Sequence, residues 1–114
     1  MVDIYPTIAA LAGLPAPGYL DGTSLRPMLD DAGASVKTAA YSQVRRANKV
    51  DGYSVRSDSW RYTEWTDEAG KQVGAQLFDE DADPAETRNL AAEPARAETV
   101  KTLSALLASY RAKP

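Results

Sequence analysis

Three carboxylates at alternating positions, Asp79, Asp81 and Asp83, are spaced like the first, third and fifth ligands of an EF-hand calcium loop. That loop also needs Gly at its sixth position and a bidentate Glu at its twelfth, where this chain has Pro84 and Leu90. The expectation is therefore a solvated acidic turn, begun by Asp83-Pro84 and closed by side-chain hydrogen bonds of Asn89 to the backbone. Arg45, Arg46 and Lys49 concentrate positive charge in the predicted loop between the first two strands. They are either solvated loop charge or a recognition site, since the planar guanidinium fork matches carboxylate, phosphate or sulfate oxygens. Tyr41, Tyr53, Trp60, Tyr62 and Trp65 could form a stacking platform for a carbohydrate. A small sheet needs large side chains, so most of them are expected in a sheet–helix core. Glu64 and Asp67 have no spacing that marks a glycosidase acid and base.

The absences narrow the chemistry further, because the sequence holds no Cys and no His. Cysteine nucleophiles, imidazole general bases, disulfides and zinc sites built on those residues are excluded. The 114 residues, 44% apolar and 25% charged, suit one modest globular domain. Thirteen Lys and Arg against sixteen Asp and Glu leave a formal charge of −3, with the signs interspersed, which argues against nucleic acid as a partner. The apolar stretch from Ile4 to Leu14 is too short to cross a membrane and lacks the marks of a signal peptide.

The elements that must position these groups follow from periodicity. Asp3 to Gly13 predicts a short helix with Asp3 as N-cap, Pro6 in the first turn, Gly13 as stop, and Ile4, Ile8 and Leu11 on one face. A breaker-rich loop, Leu14 to Gly18, and a turn at Asp21-Gly22 should follow. Thr23 or Ser24 is then expected to cap a single helical turn through Leu29, with Leu25, Met28 and Leu29 pointing inward. From Lys37 the period becomes two. Strands are predicted at Thr38 to Val44, Gly52 to Ser57, Trp60 to Trp65 and Ala75 to Asp79, with reversals at Ser57-Asp58-Ser59 and Asp67 to Gly70. The short connections require antiparallel order. Pro94 to about Ala112 carries Val100, Leu103, Leu107 and Tyr110 at helical spacing, with Ala97 and Leu106 beside them. Pro94 and Glu98 suit its first turn, and Arg111 and Lys113 its negative end. The expected fold is α+β: about four antiparallel strands with a C-terminal amphipathic helix on one face, preceded by a short N-terminal helix and loop.

Read in order, several segments resemble the end of a sulfatase, and in particular the iduronate-2-sulfatase-like branch. Val2 to Pro15 resembles the helix that closes the large domain, and Leu20 to Leu25 with Pro27-Met28-Leu29 the stretch after it. Ala40-Tyr41-Ser42-Gln43, Gly52 to Arg56 and Arg61 to Trp65 resemble strands of the small C-terminal subdomain. Gln76 to Asp79 with Asp83 to Ala91 resembles the closing turn before the last helix. The resemblance divides the chain into residues 1–36, the end of the large domain with its connection, and residues 37–114, the subdomain.

It implies a sulfuric ester hydrolase acting on a sulfated sugar, with formylglycine made from a Cys/Ser-x-Pro-Ser-Arg motif, a calcium ion held by Asp and Asn, and Lys and His around the sulfate. No such motif occurs here, so no catalytic or metal-ligating residue is carried over, and the chain alone is expected to be inactive. Arg45 is the nominated substrate-binding position, with Arg46 beside it, although Val44-Arg45-Arg46 departs from the family's aromatic-Pro-Arg. The implied partner is the large domain. Because Met1 directly precedes the first helix, the apolar face of Ile4, Ile8 and Leu11 is expected to lack a cover and to drive self-association. A free-standing module that oligomerises or binds anionic glycans is the alternative.

Overall fold

A computed structural model describes residues 2–112, so Lys113, expected at the helix end, lies outside the described residues. The chain divides into two units, Met1–Thr38 and Ala39–Pro114.

The first unit is built on α1, Ile4–Leu11. Gly13 stops it, with φ +69. Its N–H donates to Ala10 O (3.3 Å) and the Leu14 N–H to Ala9 O (2.9 Å), the paired bonds of a Schellman ending, for which Gly tolerates the left-handed backbone. Asp3 stands at the N-cap with helical φ and ψ, and its side chain does not cap. Its carboxylate instead accepts from the Thr23 N–H (2.8 Å) and Lys37 Nζ (2.5 Å). The Lys37 ammonium, followed by the Thr23 amide, holds the Asp3 carboxyl below its ordinary range. Thr7 Oγ1 accepts from the Leu25 N–H (2.9 Å), so the segment after the loop is laced back along α1. Gly22 permits this approach, since a Cβ there would fall 2.0 Å from Val2 O.

Three expectations for this unit need correction. The turn lies at Pro17–Leu20 rather than Asp21-Gly22, with the Leu20 N–H donating to Pro17 O (3.4 Å). The second helix, α2, spans Arg26–Asp30 with Leu25 at its N-cap, and Ser24 Oγ merely accepts from the Arg26 N–H (3.2 Å). Met28 and Leu29 do not point inward, being 45% and 66% exposed. What ties α2 to α1 is polar: Arg26 Nη1 donates to Ala10 O (2.7 Å).

In the second unit four strands, β1 Ala40–Arg45, β2 Asp51–Arg56, β3 Trp60–Thr66 and β4 Gln72–Asp79, form one antiparallel sheet in sequential order. A 3-10 turn at Pro94–Arg96 leads into α3, Ala97–Arg111. The second hairpin is set by Asp67, whose carboxylate accepts the Ala69 and Lys71 N–H groups while Gly70 takes φ +79. β4 starts three residues earlier than its pattern suggests. A bulge opposite Trp65 and Thr66 and the glycine at 74 break the period of two there.

Because side chains alternate across a strand, the register sorts the sheet into two faces. Val55, Tyr62 and Leu77 pack with Leu90 and with Leu103 and Leu107 of α3. Tyr41, Tyr53, Trp60 and Val100 flank that core. Tyr110, expected inside, is 41% exposed, yet its ring stacks on Tyr41 with centroids 4.2 Å apart. The α+β fold of four antiparallel strands and a terminal helix is the one the sequence predicts.

The two sheet borders differ. On β4, Asn89 takes up two of the outward backbone groups: its Oδ1 accepts the Leu77 N–H (2.9 Å) and its Nδ2 donates to Ala75 O (3.0 Å). The Leu90 N–H donates to Leu77 O (2.8 Å). On β1 the alternation of an antiparallel ladder points the backbone groups of Tyr41, Gln43 and Arg45 away from β2, and no hydrogen bond reaches them among the described residues.

Candidate functional site

The sheet face opposite α3 carries an open depression whose lining mixes apolar side chains with hydroxyl and amide groups. A cavity of 360 Å³ there is lined by Ser42, Val44 and Gly52 of the first two strands, by Ser54, and by Thr63 and Trp65 of β3, among others. Thr63 Oγ1 donates to Ser54 Oγ (2.9 Å), and Trp65 Nε1 to Gln76 Oε1 (3.1 Å), so the floor is an ordered hydroxyl and amide surface.

One end of this groove is built around Trp65. The register sets it opposite Gly52 on one side and Gly74 on the other. A Cβ at Gly52 would lie 2.6 Å from the indole, so only glycine allows the ring to lie across that strand. Arg46 covers the ring from the tight β1–β2 turn, its guanidinium carbon 4.0 Å from the ring centroid, inside the range of a cation–π interaction. That turn is closed by the Arg46 N–H to Val50 O and the Lys49 N–H to Arg46 O, with Lys49 at φ 61.

The three cations of this region go to different partners. Arg45 is the last residue of β1 rather than part of the loop, and its Nε faces Asp51 Oδ1 at 3.7 Å. Lys49 Nζ reaches both oxygens of Glu68 (3.0 and 3.1 Å). The Arg46 side chain has no ion pair or hydrogen bond among the described residues and is exposed. At the opposite end of the groove, Arg61 is bidentate to Glu86, while Glu80 lies 3.5 Å from Arg56 and 3.7 Å from Arg61. Charge there is balanced within the protein.

A second polar cluster sits under α3. Glu64, nearly buried, accepts from Tyr62 Oη (3.2 Å) and Ser104 Oγ (2.5 Å), with Arg111 Nη1 3.8 Å away. Burial, then the Glu64 charge, pushes the Tyr62 phenol up to about 12, so it stays neutral and donates. This cluster bolts the helix to β3.

The acidic turn behaves as expected. Asp79 Oδ1 accepts the Asp81 and Ala82 N–H groups, and Asp83 accepts Thr87 Oγ1 and the Arg88 N–H. Its oxygens serve donors, and no cluster of three or more His, Cys, Asp or Glu able to hold a metal ion occurs among the described residues. The residues present therefore do not fit calcium. The sequence has no Cys and no Ser-x-Pro-Ser-Arg motif from which formylglycine could be made.

Sequence reasoning grouped Arg45 with Arg46 and left Trp65 among the core aromatics. The structure separates both pairings. The period of two already sets Trp65 with Arg61 and Thr63 on the face opposite Trp60 and Tyr62; what the register adds is the pair of glycines, Gly52 and Gly74, that flank its ring.

A small antiparallel sheet backed by one terminal helix, preceded by a short N-terminal helix, defines an α+β domain. A family model described as N-sulphoglucosamine sulphohydrolase, C-terminal, matches residues 1–113, and the chain belongs to that family of sulfatase C-terminal domains. Arylsulfatase K of Danio rerio is 36% identical over 100 residues, covering 82% of this chain and 18% of that protein. Arylsulfatase K of Gallus gallus is 36% identical over 117 residues, covering 96% of this chain. The chain thus spans 18% to 21% of the length of these relatives. Among solved structures, a protein in complex with its substrate D-glucosamine-2-N,6-O-disulfate superposes with a TM-score of 0.81 at 26% identity, over 96% of this chain and 23% of the other.

Proposed function

We propose that this chain acts as the C-terminal part of a sulfuric ester hydrolase for a sulfated sugar, shaping the substrate pocket while a large domain supplies the chemistry. The observation that carries the proposal is the family match over residues 1–113 in a sequence without a formylglycine motif. Formylglycine and calcium then reside in the large domain. Residues 1–36 close that domain, and residues 37–114 form the subdomain. The finer assignment, to the iduronate-2-sulfatase-like branch, rests on the segment resemblances from Val2 to Ala91. Arg45 and Arg46 are the substrate-facing positions, Arg46 being the freer of the two.

The partner surface is α1. Ile4, Ile8 and Leu11 are 52%, 60% and 57% exposed, and Pro6 is the one buried residue of the helix. Burying three such side chains is worth roughly 1.5 to 3 kcal/mol each before the cost of association. In a sample of the chain alone the same face is available for a second copy. Purified chain should hydrolyse no aryl or sugar sulfate, with or without calcium, and turnover in a contaminant-free sample would overturn the proposal. Sedimentation over a concentration series should show self-association that Ile8→Glu abolishes; a strictly monomeric parent would remove α1 as the sticky face.

A further inference from the structure

We infer that the backbone at Asp21-Gly22 is a site of spontaneous isomerisation to isoaspartate, and that the product loosens the strap formed by residues 20–25 along α1. The inference goes beyond the sulfatase reading and does not depend on it.

The chemistry needs a carboxyl carbon and a main-chain nitrogen that can meet. The Gly nitrogen attacks the Asp Cγ, a C–N bond forms, and the carboxyl hydroxyl leaves as water with the amide proton. Water then opens the five-membered ring at one of its two carbonyls. Opening at Cγ restores aspartate. Opening at the main-chain carbonyl leaves the chain running through Cβ and Cγ, one carbon longer, with a free α-carboxylate. One water leaves and one returns, so the final mass is unchanged and no other reactant takes part. A following glycine favours the step, because it has no Cβ to crowd its nitrogen and its backbone turns freely.

The sequence holds two such pairs, Asp21-Gly22 and Asp51-Gly52, and the structure treats them oppositely. Asp51-Gly52 lies inside β2, with Gly52 in register between Val44 and Trp65. The alternation set by the Arg46 N–H on Val50 O puts the Gly52 N–H on Val44 O, and the Asp51 carboxylate faces Arg45 Nε at 3.7 Å. Rotating the backbone to bring Cγ onto that nitrogen would break the ladder. Asp21-Gly22 belongs to no helix or strand, and Asp21 is exposed. Among the described residues, neither its carboxylate nor the Gly22 N–H has a hydrogen-bond or ion-pair partner.

The fold also keeps the reactive pair in place. A Cβ at residue 22 would fall 2.0 Å from Val2 O and 2.6 Å from the Val2 carbonyl carbon, both backbone atoms, so the residue after Asp21 has to be glycine. Just beyond it come two main-chain anchors: the Thr23 N–H donates to Asp3 Oδ1 (2.8 Å) and the Leu25 N–H to Thr7 Oγ1 (2.9 Å). An extra backbone carbon ahead of Gly22 has to shift Gly22 away from Val2 or Thr23 away from Asp3. Isomerisation therefore reaches α1 through its strap, although α1 itself is chemically unchanged.

The test ages the whole chain for weeks in warm, mildly acidic buffer, folded in one sample and unfolded in urea in another. Trypsin then separates Asp21, in peptide 1–37, from Asp51, in peptide 50–56, and electron-transfer mass spectrometry locates isoaspartate to the residue. In the folded sample Asp21 should convert at least about ten-fold faster than Asp51, whose nitrogen is released only when ladder bonds open. In urea the two rates should converge. Amide exchange at Thr23 and Leu25 should be faster in the aged parent than in fresh protein. Asp21→Glu, which would have to close a six-membered ring, should show neither the isomer at residue 21 nor the faster exchange. Equal conversion at the two sites in the folded chain would overturn the inference. So would an Asp21 that converts in urea but not when folded, or converted protein whose Thr23 and Leu25 amides stay as protected as before. Each result leaves family membership and the hydrolysis assay untouched.

Discussion

Leu107 is 1% exposed and its neighbour on the same helix, Leu106, is 36% exposed, so one pair of substitutions isolates what burial against the sheet is worth. Leu→Ala removes three carbons, and at about 0.8 kcal/mol per buried carbon the transfer loss at Leu107 is about 2.4 kcal/mol. The void left among Val55, Tyr62, Leu77 and Leu103 adds to it, since the first three are held by the strand ladder and can collapse only in part. A total of about 3 to 5 kcal/mol is expected for Leu107→Ala. Leu106→Ala makes the same change in helix propensity but opens no enclosed void, and should cost at most about 1.5 kcal/mol. Urea melts followed by far-ultraviolet circular dichroism would measure both, read as midpoint shifts at constant slope. A 4 kcal/mol loss is a large share of the about 5 to 15 kcal/mol available to a domain of this size, so the Leu107 variant should already be partly unfolded at low urea. Equal losses in the two variants would refute the packing of α3 through its Leu103–Leu107 face.

Three further expectations are narrower. The Tyr62 phenol is raised from 10.0 to about 12, so the folded state holds that proton more tightly; stability should be intact below pH 10 and fall by about 3 kcal/mol between pH 10 and 12. Tyr62→Phe should remove that alkaline slope relative to the parent, as alkaline titration of thermal melts would show, and a retained slope would mean another group titrates. Gly52→Ala should cost about 1 to 3 kcal/mol through crowding of the Trp65 ring and shift its fluorescence, whereas an unaltered spectrum would mean the indole is not seated as described. Asn89→Ala leaves the Leu77 N–H and Ala75 O without their partners and should cost about 2 to 3 kcal/mol in denaturant melts; a cost near zero would show that water replaces the amide fully.

The sheet and the terminal helix were legible because their residues follow simple periods: Tyr53 and Val55 against Ser54 and Arg56, and Leu103 to Leu107 along α3. What escaped was decided by pairings far apart in sequence. Asp3 reads as an N-cap, but Lys37 and Thr23 compete for its carboxylate and win, being a cation and a free amide brought near by the fold. Met28 and Leu29 read as core by residue type alone, and a five-residue helix tied down by a guanidinium has no need to bury them. The start of β4 was hidden by a bulge, which destroys the alternation that marks a strand. At the groove, Arg46 was singled out by its charge, whereas its seat on Trp65 depends on a glycine whose neighbour is known only once the register is.

The difference between the two sheet borders gives this domain a valence. A strand edge with unsatisfied amides can add another strand, and a sheet with two such edges can add strands indefinitely. Here Asn89 and Leu90 occupy outward groups of β4 at Ala75 and Leu77, so a strand adding along that border meets a blocked stretch that β1 lacks. Two copies joined β1 to β1 would present the Asn89-blocked border at each end, which hinders growth beyond a symmetric pair. One amide side chain thus guards part of an edge that would otherwise be open to a further strand.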